Sequence, residues 1–312
     1  MSQPNPEHSR DQAVRVGISV PFDLWRLDDE LRRRRLAAVA DAGIDHLFTA
    51  DHVSFHDGSG MDGLITLAGL SGIEPRLGLQ VGVYLLALRH PMAVARQIAT
   101  LAQIAPGRIT VGVGVGGEDR HEIEVCDVDP RRRGSRTDVS LDIVRALLAG
   151  ESVDGDGDHF RFTGGLIRPV PDPPVPFLVG GRSPAALRRA ARHGQGWLAA
   201  WCSPRRFGEG VQQVEEAGAH REVPWWHGLQ VWIGVGTDKN DGRRHVADRM
   251  QDFYRMDFAR LERYTPVGTP DQIAAELAPY VGAGATTLNL APCGADRDAE
   301  IKAVGRIKEL LS

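Results

Sequence analysis

The residues best placed to do chemistry are few. Asp51-His52 closes the apolar run from Ile44 to Ala50. Imidazole suits proton transfer near neutral pH, and at the end of a strand it would face whatever binds there. The same pair also reads as a capping aspartate beside a surface histidine. Gly112, Gly114 and Gly117 satisfy the spacing of a dinucleotide fingerprint. They follow the fourth strand-like run, however, and a polar segment comes next rather than a helix leading to an acid-tipped strand. Glycines that let a flat ligand approach the backbone at a strand end fit better. Gly180-Gly181-Arg182-Ser183-Pro184 follows an apolar triplet and opens a helical pattern. Backbone N–H groups, a helix dipole, a hydroxyl and a guanidinium converge there, which suits an anion, phosphate above all.

Other chemistries find no support. Lys239, Lys302 and Lys308 are the lysines; the remainder of the 37 basic residues are arginines. None of the three ends a strand or follows a phosphate-binding loop, so Schiff-base, pyridoxal-phosphate and P-loop mechanisms are disfavoured. His56 and Asp57 near His52 raise the question of a metal. The barrel metallohydrolase pattern needs a His-x-His pair on the first strand and an aspartate on the last, and neither is present, so no metal is expected. Cys126, Cys202 and Cys293 are odd in number and far apart, which fits a reducing cytoplasm and excludes a disulfide scaffold or zinc ribbon. A net charge of −4 gives no footprint for nucleic acid. No apolar run is long enough to span a membrane. The polar stretch Met1 to Gln12 lacks the apolar centre of a secretory signal, so a cytoplasmic protein is expected.

Positioning these residues calls for repeated βα units. Strand-like runs start at Val14, Ile44, Leu77 and Ile109, roughly 30 residues apart, with amphipathic stretches between them. Further strands are expected at Phe177–Val179, Trp197–Ala199, Leu229–Val235 and Thr287–Leu290. Asp28, Ser183-Pro184 and Thr269-Pro270 mark helix starts; Gly43, Gly194 and Gly284 mark helix stops, as left-handed glycines would. Eight such units favour a closed (β/α)8 TIM barrel over an open doubly wound sheet. Residues 151–176, with their alternating pattern, read as a hairpin insertion. No linker divides the chain, so the expectation is one domain over 14–312 after a flexible tail, 1–13. Of the tryptophans, Trp201 and the pair Trp225-Trp226 are candidates to line an apolar pocket, without individual roles.

At this point the chain resembles the bacterial luciferase-like flavin- and deazaflavin-dependent oxidoreductases. The resemblance is carried by AGIDHLFTADHV (42–53), by the block from LGLQVGV through RHP to GRITVGVGVGGE (77–118), and by RRRGSRTDVSLDIVRALLAG (131–150). It continues in FLVGGRSPAALRRAARHGQGW (177–197) and VGTPDQIAAELAPYVGAGATTLNL (267–290). These pieces cover most of the chain in the family's order and imply its (β/α)8 fold.

The resemblance also implies roles for individual residues. His52, with Asp51 before it, falls where the family keeps a histidine near the redox ring. A non-proline cis peptide that supports the ring falls at Gly82–Val83. Gly114 and Gly116 would line the same ring, and Gly180, Gly181, Arg182 and Ser183 would hold the cofactor's phosphate. An acid after the fourth strand falls on Glu118, with His121 and Glu122 as competitors. The implied cofactor is coenzyme F420, with hydride passing to or from a small organic substrate. The alternative is reduced FMN with oxygen, in which case a flavin reductase is a partner. A cofactor-free binding subunit is a second alternative. A homodimer stays open, and the substrate is not indicated.

Overall fold

The computed structural model describes residues 13–117, 119–221, 223–255 and 257–312. The expected tail, apart from Ala13, and the candidate Glu118 lie outside the described residues. The strands are β1 (Arg15–Ser19), β2 (His46–Thr49), β3 (Gly78–Leu85), β4 (Ile109–Gly114), β5 (Val153–Asp156), β6 (Arg161–Gly165), β7 (Phe177–Gly180), β8 (Gly196–Ala200), β9 (Gly228–Val235), β10 (Val267–Gly268) and β11 (Thr287–Cys293). All except β5, β6 and β10 form a closed parallel barrel in the order β9-β11-β1-β2-β3-β4-β7-β8, with β8 pairing back to β9. The barrel strands begin within two residues of the starts expected from the apolar runs. β5 and β6 make the antiparallel hairpin insertion, and β10 adds a short parallel edge to β9.

Helices surround the barrel: α1 (Asp29–Asp41), α2 (Gly63–Ser71), α3 (Pro91–Ile104), α4 (Arg120–Glu124), α5 (Arg133–Leu148), α6 (Pro184–His193), α7 (Pro204–Ala217), α8 (Lys239–Tyr254), α9 (Pro270–Gly282) and α10 (Arg297–Leu311). Their starts are capped as the residue types require. Asp28 accepts from the Leu31 N–H at 2.8 Å, Ser183 from Ala186 at 3.2 Å, and Thr269 closes a reciprocal capping box with Gln272. Gly43 and Gly284 are left-handed after α1 and α9, whereas Gly194 is extended at φ −89°. At Gly194 glycine answers to space, because a Cβ would sit 2.7 Å from the Gly196 carbonyl oxygen.

Alternation along the strands divides the packing. Val16, Ile18, Leu47, Leu79, Val81, Val111, Val113, Leu288 and Leu290 are buried in the main apolar core, together with helix residues such as Leu67, Ile98, Val144 and Val304. The opposite faces point into the barrel and are unusually polar. His46 Nε2 lies 2.7 Å from Asn289 Oδ1; Asn289 Nδ2 donates to Gln230 Oε1 at 3.2 Å; Gln230 Nε2 donates to the Gly82 carbonyl at 2.8 Å. This chain crosses the barrel from β2 through β11 and β9 to β3. A Cβ on Gly17 would strike the His46 imidazole, and one on Gly82 would strike the Gln230 amide, so both strands carry glycine where the chain passes.

Burial pushes the His46 pKa down to about 4, outweighing the hydrogen bond to Asn289 that favours the charged form, so the imidazole is neutral near pH 7. The unfolded chain takes up this proton near the ordinary value, so between pH 6.5 and 4 the unfolded state binds more protons and stability falls with falling pH. His46→Gln, which cannot titrate, should remove about 3 kcal/mol of that acid dependence. Denaturant midpoints at pH 7 and pH 4.5 for both proteins measure it; equal pH slopes would contradict the assignment.

Candidate active site

The site grows from the end of β2. Asp51, 1% exposed, accepts the Gly63 N–H at 2.9 Å and the Leu85 N–H at 2.9 Å. Arg89 grips both oxygens of the same carboxylate, at 2.8 and 2.9 Å. The guanidinium also reaches Asp62 at 3.0 Å and lies over the Tyr84 ring, 4.3 Å from its centroid. One buried carboxylate thus ties the end of β2, the start of α2 and the end of β3. The resemblance places Asp51 next to His52, and in the structure its carboxylate faces backbone N–H groups and Arg89. Its oxygens are fully engaged by backbone and arginine, and it does not touch His52's ring.

The partner of His52 is Glu122 instead. His52 Nδ1 lies 3.2 Å from Glu122 Oε2. Glu122 Oε1 also accepts the Val53 N–H at 2.7 Å and the Ser54 N–H at 3.2 Å. Burial pushes this carboxyl up, but the hydrogen bonds from His52 and the two backbone N–H groups outweigh burial and hold it below the usual carboxylate range. A carboxylate accepting from Nδ1–H fixes the ring's orientation and leaves Nε2 as the nitrogen that can exchange a proton with a bound molecule. Glu122 is placed by α4, whose N-cap Asp119 accepts the His121 N–H at 2.9 Å and, from the loop after β2, the His56 N–H at 2.7 Å. Of the three acids and bases competing in the sequence, Glu122 is buried against His52 and His121 is exposed; Glu118 is outside the described residues.

Around His52 stands a cluster of rings. Phe55 lies 4.2 Å from it between centroids. Phe253 of α8 is 5.5 Å from Phe55, 5.8 Å from Trp232 of β9 and 6.0 Å from Phe22 beyond β1. The sequence reading missed this cluster, although Trp232 sits in register with the inward-facing Gln230. Trp225 and Trp226 precede β9 and belong to the other end of the barrel, so they are not near His52.

The glycines expected around a flat ring have a more specific task. The Gly82–Val83 peptide bond is cis. Val83 packs where Cβ atoms would otherwise be, since a Cβ on Gly180 would come 2.9 Å from Val83 Cγ1 and one on Gly114 would collide with Val83 Cγ2. Gly114 and Gly180 therefore admit a branched side chain into the mouth of the barrel. Gly116, with φ 68°, follows β4.

After β7 the chain turns through Gly181, whose φ of 119° favours glycine and whose carbonyl accepts the Trp197 indole N–H at 2.6 Å. Gly181, Arg182 and Ser183 are exposed. Arg182 lines a recess of about 290 Å³ together with Ser203, Arg205, Arg206, Trp201 and Tyr264. The recess lies at the starts of α6 and α7, so arginine charge and two helix N-termini meet there. Among the described residues no group of three His, Cys, Asp or Glu side chains is placed to hold a metal ion, and no helix is long and apolar enough to cross a membrane.

The closed parallel barrel agrees with the family comparison. The model of the luciferase-like monooxygenases matches residues 16–254, and the chain belongs to that family. Among curated relatives, it is 35% identical over 191 residues to an F420-dependent glucose-6-phosphate dehydrogenase of Beutenbergia cavernae, covering 59% of this chain and 56% of that one. It is 28% identical over 190 residues to an F420-dependent hydroxymycolic acid dehydrogenase of Mycobacterium tuberculosis, covering 59% and 52%. The chain thus spans about half the length of the curated relatives it matches. In fold it is similar to an F420-dependent secondary alcohol dehydrogenase solved with an F420-acetone adduct (TM-score 0.82, 17% identity, 96% of this chain and 99% of that one). It is also similar to an FMN-bound oxygenating component of 3,6-diketocamphane monooxygenase from Pseudomonas putida (TM-score 0.75, 16% identity, 96% and 98%).

Asp51→Asn tests the clamp. It leaves Arg89 buried beside a neutral amide, and breaking one side of a buried ion pair costs about 3 kcal/mol or more. Chemical denaturation should show that loss, and an unchanged midpoint would contradict the clamp.

Proposed function

We propose that this chain is an oxidoreductase that binds coenzyme F420 in the barrel mouth and carries hydride to or from a small organic alcohol or carbonyl. The observation that carries the reading is His52, held by Glu122 through Nδ1 at 3.2 Å with Nε2 left for proton exchange. The residues present fit such a coenzyme. Val83 rises into the mouth between glycines, the turn Gly180 to Ser183 is exposed, and Arg182, Arg205 and Arg206 line the adjoining recess. They would hold a ring and an anionic phosphate chain respectively. When bound, a deazaflavin supplies a two-electron hydride donor or acceptor, whereas reduced FMN activates oxygen.

The chain's own part is proton management. As a carbonyl carbon receives hydride, its oxygen needs a proton, and His52 supplies it from Nε2–H when the ring enters the step as the imidazolium, leaving the neutral Nδ1–H form; in the reverse direction that neutral ring takes the alcohol proton at Nε2. Glu122 keeps Nδ1 protonated and the ring oriented. The cluster of Phe22, Phe55, Trp232 and Phe253 supports an apolar substrate. Charged groups beside it are already paired, Arg255 with Asp57 at 3.1 Å and His56 beside Asp119, which does not suit a sugar phosphate. The curated F420-dependent relatives favour the deazaflavin over FMN, since the FMN-bound neighbour is similar in fold alone.

Titration of the purified chain with F420 and with FMN tests the reading. Saturable F420 binding is expected. FMN binding alone would move the protein to the reductase-dependent monooxygenases, and no binding of either would make it a cofactor-free protein of the same fold. His52→Ala should bind F420 within about tenfold of the parent while single-turnover hydride transfer falls about a hundredfold or more. Normal turnover at saturating coenzyme would remove His52 from the reaction.

A further inference from the structure

The barrel has a second opening at the end where its strands begin. Arg15 starts β1, Gly78 starts β3, Thr110 is the second residue of β4, and Trp226 precedes β9. Together with Arg108 and the segment Pro173 to Pro176 they line a cavity of about 420 Å³. The His52 mouth lies at the opposite ends of the same strands.

Among the described residues, the Arg15 guanidinium and the Thr110 hydroxyl in this cavity have no acceptor. The Arg15 guanidinium lies over the Trp226 ring, 4.9 Å from the centroid, and makes no hydrogen bond or ion pair among the described residues. Asp45, the nearest carboxylate on the cavity wall, is engaged elsewhere, accepting from the Val16 N–H at 2.7 Å and pairing with Lys308 at 2.7 Å. Burial works against the Arg15 charge more than Asp45 supports it and holds its pKa below the ordinary value. Arg108 donates to the carbonyls of Ser71 and Leu77, and its charge lies near enough to Glu74 to help hold that carboxyl below its ordinary range. The Thr110 hydroxyl has no hydrogen bond among the described residues, and Gln80, its partner across the ladder, keeps a buried Nε2 without an acceptor. A half-buried guanidinium held on a ring without a protein acceptor presents its planar fork to the cavity, and that fork matches the paired oxygens of a carboxylate or phosphate.

We propose that this cavity binds a small oxyanion, the carboxylate or phosphate group of an organic molecule, at a site separate from the reaction centre. Arg15 grips two of its oxygens, the Trp226 face keeps the guanidinium plane in place, and Thr110 donates a further hydrogen bond. A Cβ at Gly78 would lie 3.1 Å from His46 Cβ and 3.3 Å from Arg15 Nη2, so a side chain there would crowd both the barrel floor and the fork. The proposal does not depend on F420 binding at the mouth.

Isothermal titration of the full chain with inorganic phosphate and with benzoate, at fixed ionic strength, tests it. Three proteins are compared: the parent, Arg15→Met, and Gly181→Asp, which places bulk and negative charge at the anion turn of the mouth. Saturable binding is expected in the parent and in Gly181→Asp, weakened about tenfold or more in Arg15→Met. Response to phosphate alone assigns a phosphate ligand, and response to benzoate alone a carboxylate. Without ligand, Arg15→Met should melt at the parent's temperature or above it, because it removes a half-buried charge that has no protein acceptor. If Arg15→Met does not fold, Thr110→Val should weaken binding severalfold in its place. The proposal is overturned if the parent binds neither probe, if Arg15→Met and Thr110→Val bind as the parent does, or if Gly181→Asp abolishes binding.

Discussion

Everything at the mouth of this barrel hangs on the carboxylate of Asp51. Four hydrogen bonds converge on it, two from backbone N–H groups and two from Arg89. They lock the exit of β2 to the start of α2 and the end of β3, the three segments that surround His52. A histidine on an untethered loop would have many orientations to lose on reaching a productive one. Here the residue before it cannot move without breaking a buried ion pair. Glu122 then sets the ring itself, using α4 as its mount and the Val53 and Ser54 N–H groups as a second tether. Positioning is thus divided between two acids, one fixing the backbone and the other the imidazole.

The barrel interior beneath the mouth follows the same principle. Barrels of this type usually fill their interior with branched apolar side chains in layers, whereas this one threads His46, Asn289 and Gln230 to the Gly82 carbonyl. The groups joined in the chain satisfy one another, which makes burial tolerable there, although His46 Nδ1 stays buried without a partner among the described residues. Glycines at 17 and 82 make room for the chain, and glycines at 114 and 180 make room for Val83. Two glycine patterns that look alike in sequence therefore do different work, one beneath polar side chains and the other beneath an apolar one.

Much of the architecture was legible in the sequence. The strand starts, the caps at Asp28, Ser183 and Thr269, and the hairpin between β4 and β7 follow from local residue chemistry, and the structure places them accordingly. The site was legible only in outline, because its decisive contacts join distant positions. His52 and Glu122 are 70 residues apart, and nothing local separates Glu122 from Glu118 or His121. Asp51 stands next to His52 in sequence, but consecutive residues at a strand's end tend to face different ways. Its true partner, Arg89, was visible only as part of the motif around His90-Pro91. The ring cluster was hidden for a related reason, as Phe22, Phe55, Trp232 and Phe253 come from four segments. A signal did exist for the polar interior: Gln230 and Asn289 interrupt strands that are otherwise apolar, at positions of one parity.

The central claim is that His52 exchanges the proton and that Glu122 acts only through it. A double-mutant cycle on single-turnover hydride transfer at saturating coenzyme tests this most directly, using His52→Ala, Glu122→Gln and the two combined. If Glu122 works through His52, the combined variant reacts as slowly as His52→Ala alone, because the glutamate has no ring left to orient. Losses that multiply in the combined variant would give Glu122 a part of its own and contradict the account.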